Sequence, residues 1–320
     1  MAVKTLRRQA AEELQQLLNG EGSSFPGLNW VRLSLQTRGK LLSGDNRGFA
    51  WGLVPLLVID AAGGDPRAGL PLAAAAECLV AASDVLDDVE DGDCAIGLER
   101  VCGIPTAINV GTFLTFMAHV AIHRLTSLGF QADVVRDVGC VLATAAARAC
   151  GGQQRDIDQN EALLTESGYL EMVEAKSGAI VEGLCRAAAI VAGASTEAIE
   201  RYAQFGRNLG IALQVSNDVR AVSIQQNQRN DVAAVKRTLP LAFALEHAPA
   251  LAHEFVAAAH EGRLAAHDAQ RLSDLMHTSG GVLYSSVVAD VYFEEAAACL
   301  DKADCAEQTQ LRAFLRSMRR

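Results

Sequence analysis

Six acidic residues lie within ten positions directly after an apolar, Ala-rich stretch: Asp84, Asp87, Asp88, Glu90, Asp91 and Asp93. On a helix, Asp87 and Asp91 would lie one turn apart on the same face, where like charges repel and the helix C-terminus is already negative. No Lys or Arg between Arg67 and Arg100 offsets this charge locally. Carboxylates without His or Cys neighbours favour a hard cation such as Mg²⁺, which completes its shell with water and phosphate. The alternative is a solvated acidic helix end.

A second polar helix end follows another apolar segment. It carries Asn217 and Asp218, and Gln214 lies about one helical turn before them. Two cations, Lys176 and Lys236, could bind an anion. Oxygen ligands for Mg²⁺ combined with lysines are what a metal–diphosphate site requires. Taken singly, a lysine is more often a surface residue, and Asn-Asp is often a helix cap.

Helices must position these residues, because nearly every segment shows helical periodicity and alternating β-branched runs are absent. The expected helices lie at about 6–17, 46–62, 69–91, 105–128, 131–150, 167–193, 196–221, 237–247, 250–260, 264–278 and 281–300. Residues 20–30 are expected to form a loop. The pattern predicts an all-α fold, a large helical bundle forming a single domain over residues 1–320.

Composition narrows the possible partners and compartment. The chain has 320 residues, 50% hydrophobic, with a formal net charge of −10, which disfavours nucleic acid or an anionic membrane surface as a general partner. The eight Cys residues form no CxxC pair, so reduced thiols and a cytoplasmic location are expected. The N-terminal residues show no apolar signal segment, and no apolar run reaches the roughly 20 residues of a membrane span.

Taken in order, several segments resemble motifs of the polyprenyl synthetase family, which has the isoprenoid synthase fold. They are Gly39-Lys40, Asp87-Asp88-Val89-Glu90-Asp91 (the family's DDxxD), Gly103-Ile104-Pro105-Thr106, Gly152-Gln153-Gln154-Arg155-Asp156, Lys176-Ser177-Gly178, Phe205-Gly206 to Asp218, and Asp231 to Pro240. The resemblance implies a central cavity, Mg²⁺ as cofactor, a prenyl diphosphate substrate and a homodimer.

The resemblance also implies roles for individual residues. Catalysis is expected of Asp87, Asp88, Asp91 and Asn217. The expected metal ligands are Asp87, Asp91, Asn217 and Asp218. Lys176, Lys236, Gln214 and Arg100 are expected to bind diphosphate. The expected pocket residues are Ala82, Ser83, Phe113 and Phe116.

The chain departs from the family where a second diphosphate would bind. Val101 and Cys102 stand where the family's chain elongases usually have two Arg, and Ser43 stands where the early motif normally continues with Arg. The second acidic motif is also altered, with Ala221 and Gln225 in a pattern that half resembles the metal motif of class I terpene cyclases. How many ions this helix binds is left open.

These departures favour a class I terpene cyclase that ionises one allylic diphosphate with Mg²⁺ and cyclises the carbocation, a lyase that releases diphosphate. In the family that the chain resembles, bulky residues four or five places before the first Asp shorten the pocket, so the small Ala82 and Ser83 imply a deep pocket and a C20 substrate, geranylgeranyl diphosphate. On this interpretation, isopentenyl diphosphate is not a substrate. Asp84 beside the pocket has no explanation from the sequence.

Three alternatives remain open. The first is a chain-elongating prenyltransferase that uses Arg100, Lys40 and Arg47 in a shifted arrangement. The second is a prenyltransferase acting on a non-isoprenoid acceptor. The third is a weakly catalytic subunit of a prenyl synthase, suggested by the altered second motif.

Overall fold

Helices are the regular secondary structure of the described part of the chain. A computed structural model describes residues 3–44, 50–91, 97–158, 165–223, 236–247, 255, 257, 266–301 and 308–319. Within these ranges there is no β-strand, so the prediction of an all-α fold is confirmed.

The described ranges contain fourteen α-helices: α1 (Val3–Asn19), α2 (Leu28–Ser34), α3 (Leu53–Ala61), α4 (Leu70–Glu90), α5 (Glu99–Cys102), α6 (Ile104–His123), α7 (Ala132–Ile157), α8 (Glu166–Val173), α9 (Ala179–Val191), α10 (Thr196–Ser223), α11 (Leu239–His247), α12 (Ala266–Thr278), α13 (Gly281–Asp301) and α14 (Thr309–Met318). Two 3₁₀ turns span Pro66–Gly69 and Arg124–Leu128, and a π-helical turn spans Glu174–Gly178.

Many of the expected helices have close counterparts, whereas α3 begins only at Leu53 and α7 continues to Ile157. The helix expected over 69–91 is α4, which spans Leu70–Glu90. The helix expected over 167–193 is interrupted by the π turn. α2 begins inside the segment expected to be a loop, because a helix of seven residues is too short to show a clear period. Of the helix expected at 250–260, only residues 255 and 257 are described.

The chain divides into two compact units. Unit 1 comprises Met1–Ala145, Glu182–Gly206 and Ala297–Arg320, and unit 2 comprises Ala146–Val181 and Arg207–Ala296. The expectation of one domain over 1–320 stays a prediction.

Unit 1 is built around α4, which is apolar on nearly every face and packs against α1, α3 and α6. Burial of its Ala and Leu side chains stabilises the helix in place, at about 25 cal/mol per Å² of apolar surface removed from water. The hydroxyl of Tyr202, itself buried, donates to the carbonyl oxygen of Ala61 at 2.6 Å and ties α10 to α3. α4 is therefore a fixed support for whatever lies at its end.

Unit 2 has two apolar clusters. One joins α8 to α10 through Tyr169, Val173, Ile211 and Val215, all buried. The other is formed by α11 and α12 with Val222, Leu241, Leu245, Phe255, Leu272 and Met276 among its members. The first cluster holds α8, the helix that leads into the π turn, against α10.

Two helical stretches, Pro66–Glu90 and Ile104–Leu128, are long and apolar enough to cross a membrane by length and composition alone. The first is 78% buried within the protein, as the core helix of a folded domain would be, and the second is 39% buried. One or two such helices are weak support for a span, so the expectation of no membrane span stays a prediction.

Candidate active site

The acidic residues of unit 1 lie on the last turns of α4. The helix ends at Glu90, and the backbone N–H of Asp91 donates to the carbonyl oxygen of Asp87 at 2.8 Å. Asp87 and Asp88 are half-buried, and Asp91 is exposed. The helical spacing therefore places Asp87 and Asp91 one turn apart, as the sequence predicts, with their carboxylates accessible from solvent.

The carboxylates suit Mg²⁺ that arrives together with a phosphate. Among the residues that the structure describes, no three His, Cys, Asp or Glu side chains converge closely enough to hold a metal ion by themselves. Mg²⁺ does not need such a cage, because it is usually bound through one or two carboxylates, several waters and substrate phosphates. Asp87, Asp88 and Asp91 fit this mode of binding.

Asp84 forms an ion pair that the sequence did not reveal. Its Oδ2 accepts a hydrogen bond from Nζ of Lys40 at 2.5 Å. The Lys40 side chain is 3% exposed and the Asp84 side chain 59% exposed. The sequence has no Lys or Arg close to the acidic residues, whereas Lys40 lies 44 positions before Asp84.

The segment that carries Lys40 is fixed to α4 by buried groups. The Glu77 carboxylate, fully buried, accepts the backbone N–H groups of Gly52 at 2.7 Å and Leu41 at 2.9 Å. Burial raises the pKa of Glu77, while these N–H groups and the charge of Lys40 oppose the rise. The Arg7 guanidinium donates to the Lys40 carbonyl at 2.9 Å and to Ser43 Oγ at 3.2 Å.

In unit 2, Lys176 lies in the π turn between α8 and α9. Its Nζ donates to Asp156 Oδ2 at 2.9 Å. A π turn inserts an extra residue into a helix and so redirects a side chain, which is why such turns are frequent at functional sites. We refer to Lys176, Asp156, Ser177, Gln214, Asp218 and Tyr169 as the π-turn cluster.

Two glycines allow the π turn to lie close to its neighbours. A Cβ atom at Gly152 of α7 would lie 2.3 Å from the backbone nitrogen of Lys176. A Cβ at Gly210 of α10 would lie 2.7 Å from the carbonyl oxygen of Ser177. Both distances are shorter than real carbon contacts, so only glycine fits. The Gly-Gln motif found in the sequence thus has a packing role.

Asp218 is held by hydrogen bonds to both of its carboxylate oxygens. The Tyr169 hydroxyl donates to Oδ2 at 2.6 Å, and Gln214 Nε2 donates to Oδ1 at 2.9 Å. Ser177 Oγ in turn donates to Gln214 Oε1 at 3.0 Å. Burial raises the pKa of Tyr169 well above its usual value, and the Asp218 charge adds to the rise, so the hydroxyl remains a donor.

The other expected ligands are placed as follows. Asn217 is exposed, and its Oδ1 accepts from Arg220 at 2.9 Å. Arg100 is exposed on α5, and Lys236 is half-buried just before α11. Arg237 was missed by the sequence interpretation; burial lowers its pKa, and the charge of Asp156 opposes the change. Gln225, Arg47 and Asp231 lie outside the described residues.

The four expected pocket residues do not share one environment. Ala82 is buried, whereas Ser83 is exposed and donates to the carbonyl oxygen of Leu79 at 3.1 Å. Phe113 stacks on Phe25 with ring centroids 4.1 Å apart. Phe116 is 64% exposed. Their role in a pocket stays a prediction.

Most of the chain matches a known protein family. Residues 51–276 match the family model described as polyprenyl synthetase. A short chain isoprenyl diphosphate synthase of Methanothermobacter thermautotrophicus is 31% identical over 203 residues, which are 60% of this chain and 61% of that protein. The match thus spans about three fifths of that relative's length.

Two solved structures share the fold over the whole chain. A geranylgeranyl pyrophosphate synthetase of Geoglobus acetivorans has a TM-score of 0.81 at 22% identity and covers 100% of this chain and 99% of its own. A geranylgeranyl pyrophosphate synthase of Corynebacterium glutamicum, complexed with isoprenyl diphosphate and magnesium, has a TM-score of 0.79 at 20% identity with 100% of both chains covered.

The expectation of a terpene cyclase, a lyase acting on a C20 substrate, is wrong. The family that matches and the relatives are named as synthetases and synthases of prenyl diphosphates, whereas the product of a cyclase would carry no diphosphate. That expectation rested on Val101, Cys102 and Ser43, which stand where the family's chain elongases usually have Arg. Counting at aligned positions fails because a fold also brings in cations from distant segments, as Lys40 is brought to Asp84.

The packing of the π turn leads to a paired test on two adjacent glycines. Gly152→Ala should lower the free energy of unfolding by about 1–3 kcal/mol, because the new methyl group would overlap the Lys176 backbone. Gly151→Ala is the matched control, since a Cβ there meets nothing within 4 Å; an Ala in an exposed helix should stabilise by about 0.5–1 kcal/mol. Equal urea midpoints for the two variants would contradict this packing.

Proposed function

We propose that this chain, which belongs to the polyprenyl synthetase family, is a prenyl diphosphate synthase that joins an allylic prenyl diphosphate to isopentenyl diphosphate and releases diphosphate. The observation that carries the proposal is the row of accessible carboxylates on the last turns of α4, Asp87, Asp88 and Asp91. It lies inside the stretch that matches the family.

The acidic end of α4 would bind the allylic diphosphate. Asp87 and Asp91, one turn apart, would hold Mg²⁺, and Asp88 would support them. Mg²⁺, when bound, would stabilise the negative charge that develops on the departing diphosphate oxygen. The apolar packing of α4 keeps these carboxylates fixed, so little free energy is lost in orienting them during the reaction.

The π-turn cluster would contribute a fixed cation and a fixed carboxylate. The hydrogen bond from Lys176 to Asp156 holds the ammonium at the π turn, and an ammonium can bind a phosphate oxygen. Tyr169 and Gln214 hold the Asp218 carboxylate in one orientation, as is usual for the neighbours of a metal ligand. We propose that Asp218 and Asn217 bind metal, and that Lys236 and Arg100 assist with diphosphate charge.

Product analysis tests the proposed reaction. With Mg²⁺, isopentenyl diphosphate and each of the C5, C10, C15 and C20 allylic diphosphates, at least one mixture should give a prenyl diphosphate longer by five carbons or a multiple of five. Asp87→Asn should reduce this turnover by roughly 10²–10³-fold, the usual loss on removing one preorganised electrostatic contact. A product of unchanged carbon number, with isopentenyl diphosphate left intact, would contradict the proposal.

We also propose that one face of α6 packs against a second copy of the chain. Ile104, Ile108 and Phe116 are exposed at spacings of four or eight residues, hence on one face of the helix. No Lys, Arg, Asp or Glu occurs between Arg100 and Arg124. An uncharged apolar face suits a twofold interface, where the same patch meets itself and opposite charges are not needed.

Light scattering on a surface variant tests the dimer. The unmodified chain should have the mass of two copies, and Phe116→Glu should shift it toward one copy, because the new charge would be buried beside itself across the twofold axis. Val287→Glu on α13 is the control, since Val287 is also exposed and apolar but lies on another helix. A monomeric unmodified chain, or a dimer unaffected by Phe116→Glu, would contradict this interface.

A further inference from the structure

We propose that Asp84 lowers the affinity of this chain for a diphosphate substrate at the acidic end of α4 by holding the Lys40 ammonium in an ion pair and so withholding it from that substrate. This inference rests on the proposed function. It concerns a residue that neither the family motifs nor the expected pocket explains.

The ion pair lies beside the carboxylates proposed to bind the metal. Asp84 comes one helical turn before Asp87 and Asp88 on α4. Because Lys40 contacts Asp84, its ammonium lies within about one turn of the acidic end of α4. An anionic substrate that approaches those residues therefore comes within reach of this cation.

The relative exposure of the two partners shows which one meets the solvent. Lys40 is 3% exposed, whereas Asp84 is 59% exposed. The carboxylate is thus the accessible member of the pair, and an approaching diphosphate encounters negative charge first. Lys40 also lies close enough to the buried Glu77 carboxylate to oppose the rise of its pKa. With its ammonium bound to Asp84, Lys40 offers little net attraction to a diphosphate.

A purely structural role for Asp84 is less consistent with the neighbouring contacts. The segment that carries Lys40 is already fixed by two hydrogen bonds from Arg7 and by two backbone N–H groups donated to Glu77. These contacts are buried, and Asp84 takes part in none of them. Removing the Asp84 charge should therefore alter the availability of Lys40 more than the position of the segment.

The test compares affinities in variants of the full chain. In Asp84→Asn, the KM for at least one of the two diphosphate substrates should fall by roughly three- to tenfold with kcat little changed, the size of the net contribution of one hydrogen bond. The double variant Asp84→Asn/Lys40→Gln should lose this gain. Lys40→Gln alone should not lower KM, because it removes the ammonium and leaves the Asp84 carboxylate in place.

Two controls separate this effect from charge and folding effects. Glu90→Gln removes one exposed carboxylate from the same helix end without touching Lys40, so it should not reproduce the gain. Asp84→Glu keeps the charge and should restore the unmodified KM. An equal fall in KM in Glu90→Gln would overturn the inference. So would an unchanged KM in Asp84→Asn, provided that this variant unfolds at the same temperature as the unmodified chain. A lower KM in Lys40→Gln alone would also overturn it, whether or not Asp84→Asn folds.

Calorimetric titration with inorganic pyrophosphate distinguishes this inference from the proposed function. The probe needs no turnover, so it remains decisive if no elongation is detected. Tighter binding of pyrophosphate by Asp84→Asn than by the unmodified chain and by Glu90→Gln would support the inference. Equal binding by all three would overturn it, even in a chain that elongates prenyl diphosphates.

Discussion

Repulsion between the carboxylates at the end of α4 is the constraint around which the acidic site is built. Asp84, Asp87, Asp88, Glu90 and Asp91 occupy the last two turns and the end of one helix, where the backbone carbonyls already present negative partial charge. The helix cannot move away, because its remaining faces are buried in unit 1. Lys40 neutralises the charge of Asp84 within the protein, and Asp91 is exposed to solvent. A cation that arrives with its substrate can offset them.

The π-turn cluster satisfies a different constraint, the cost of placing polar groups in a packed interior. Tyr169 is fully buried, and its hydroxyl would lose stability if it had no acceptor. Asp218 supplies the acceptor and is itself oriented by the bond. Gly152 and Gly210 let two helices approach the backbone of the π turn, which no larger residue would permit. Packing and the orientation of the polar groups are therefore consequences of the same few contacts.

The sequence predicted the helices and the motifs well because both are local properties. The Ala and Leu period places the end of α4 within one residue, and the ordered motifs identify the family. The contacts of Lys40 with Asp84 and of Tyr169 with Asp218 join residues 44 and 49 positions apart, which no local pattern reveals. The π turn was missed because one inserted residue hardly changes a helical period.

The error in the reaction type has the same origin. Val101 and Cys102 stand where related chain elongases usually have two Arg. The absence of these cations led to the incorrect prediction of a cyclase that binds only one diphosphate substrate. Charge in a folded site depends instead on which segments converge there. Asp84, which had no explanation from the sequence, proved to be the partner of Lys40.

Metal-linked stabilisation tests the central claim most directly, that the acidic end of α4 is a site for Mg²⁺ and diphosphate. Thermal unfolding of the unmodified chain should shift upward with Mg²⁺ and pyrophosphate together, by the equivalent of about 2.7 kcal/mol at a hundredfold excess over Kd. Asp91→Asn should be as stable as the unmodified chain without ligands, or more stable by roughly some tenths of a kcal/mol, and should lose most of the shift. A full shift in Asp91→Asn and also in Asp87→Asn would contradict the claim.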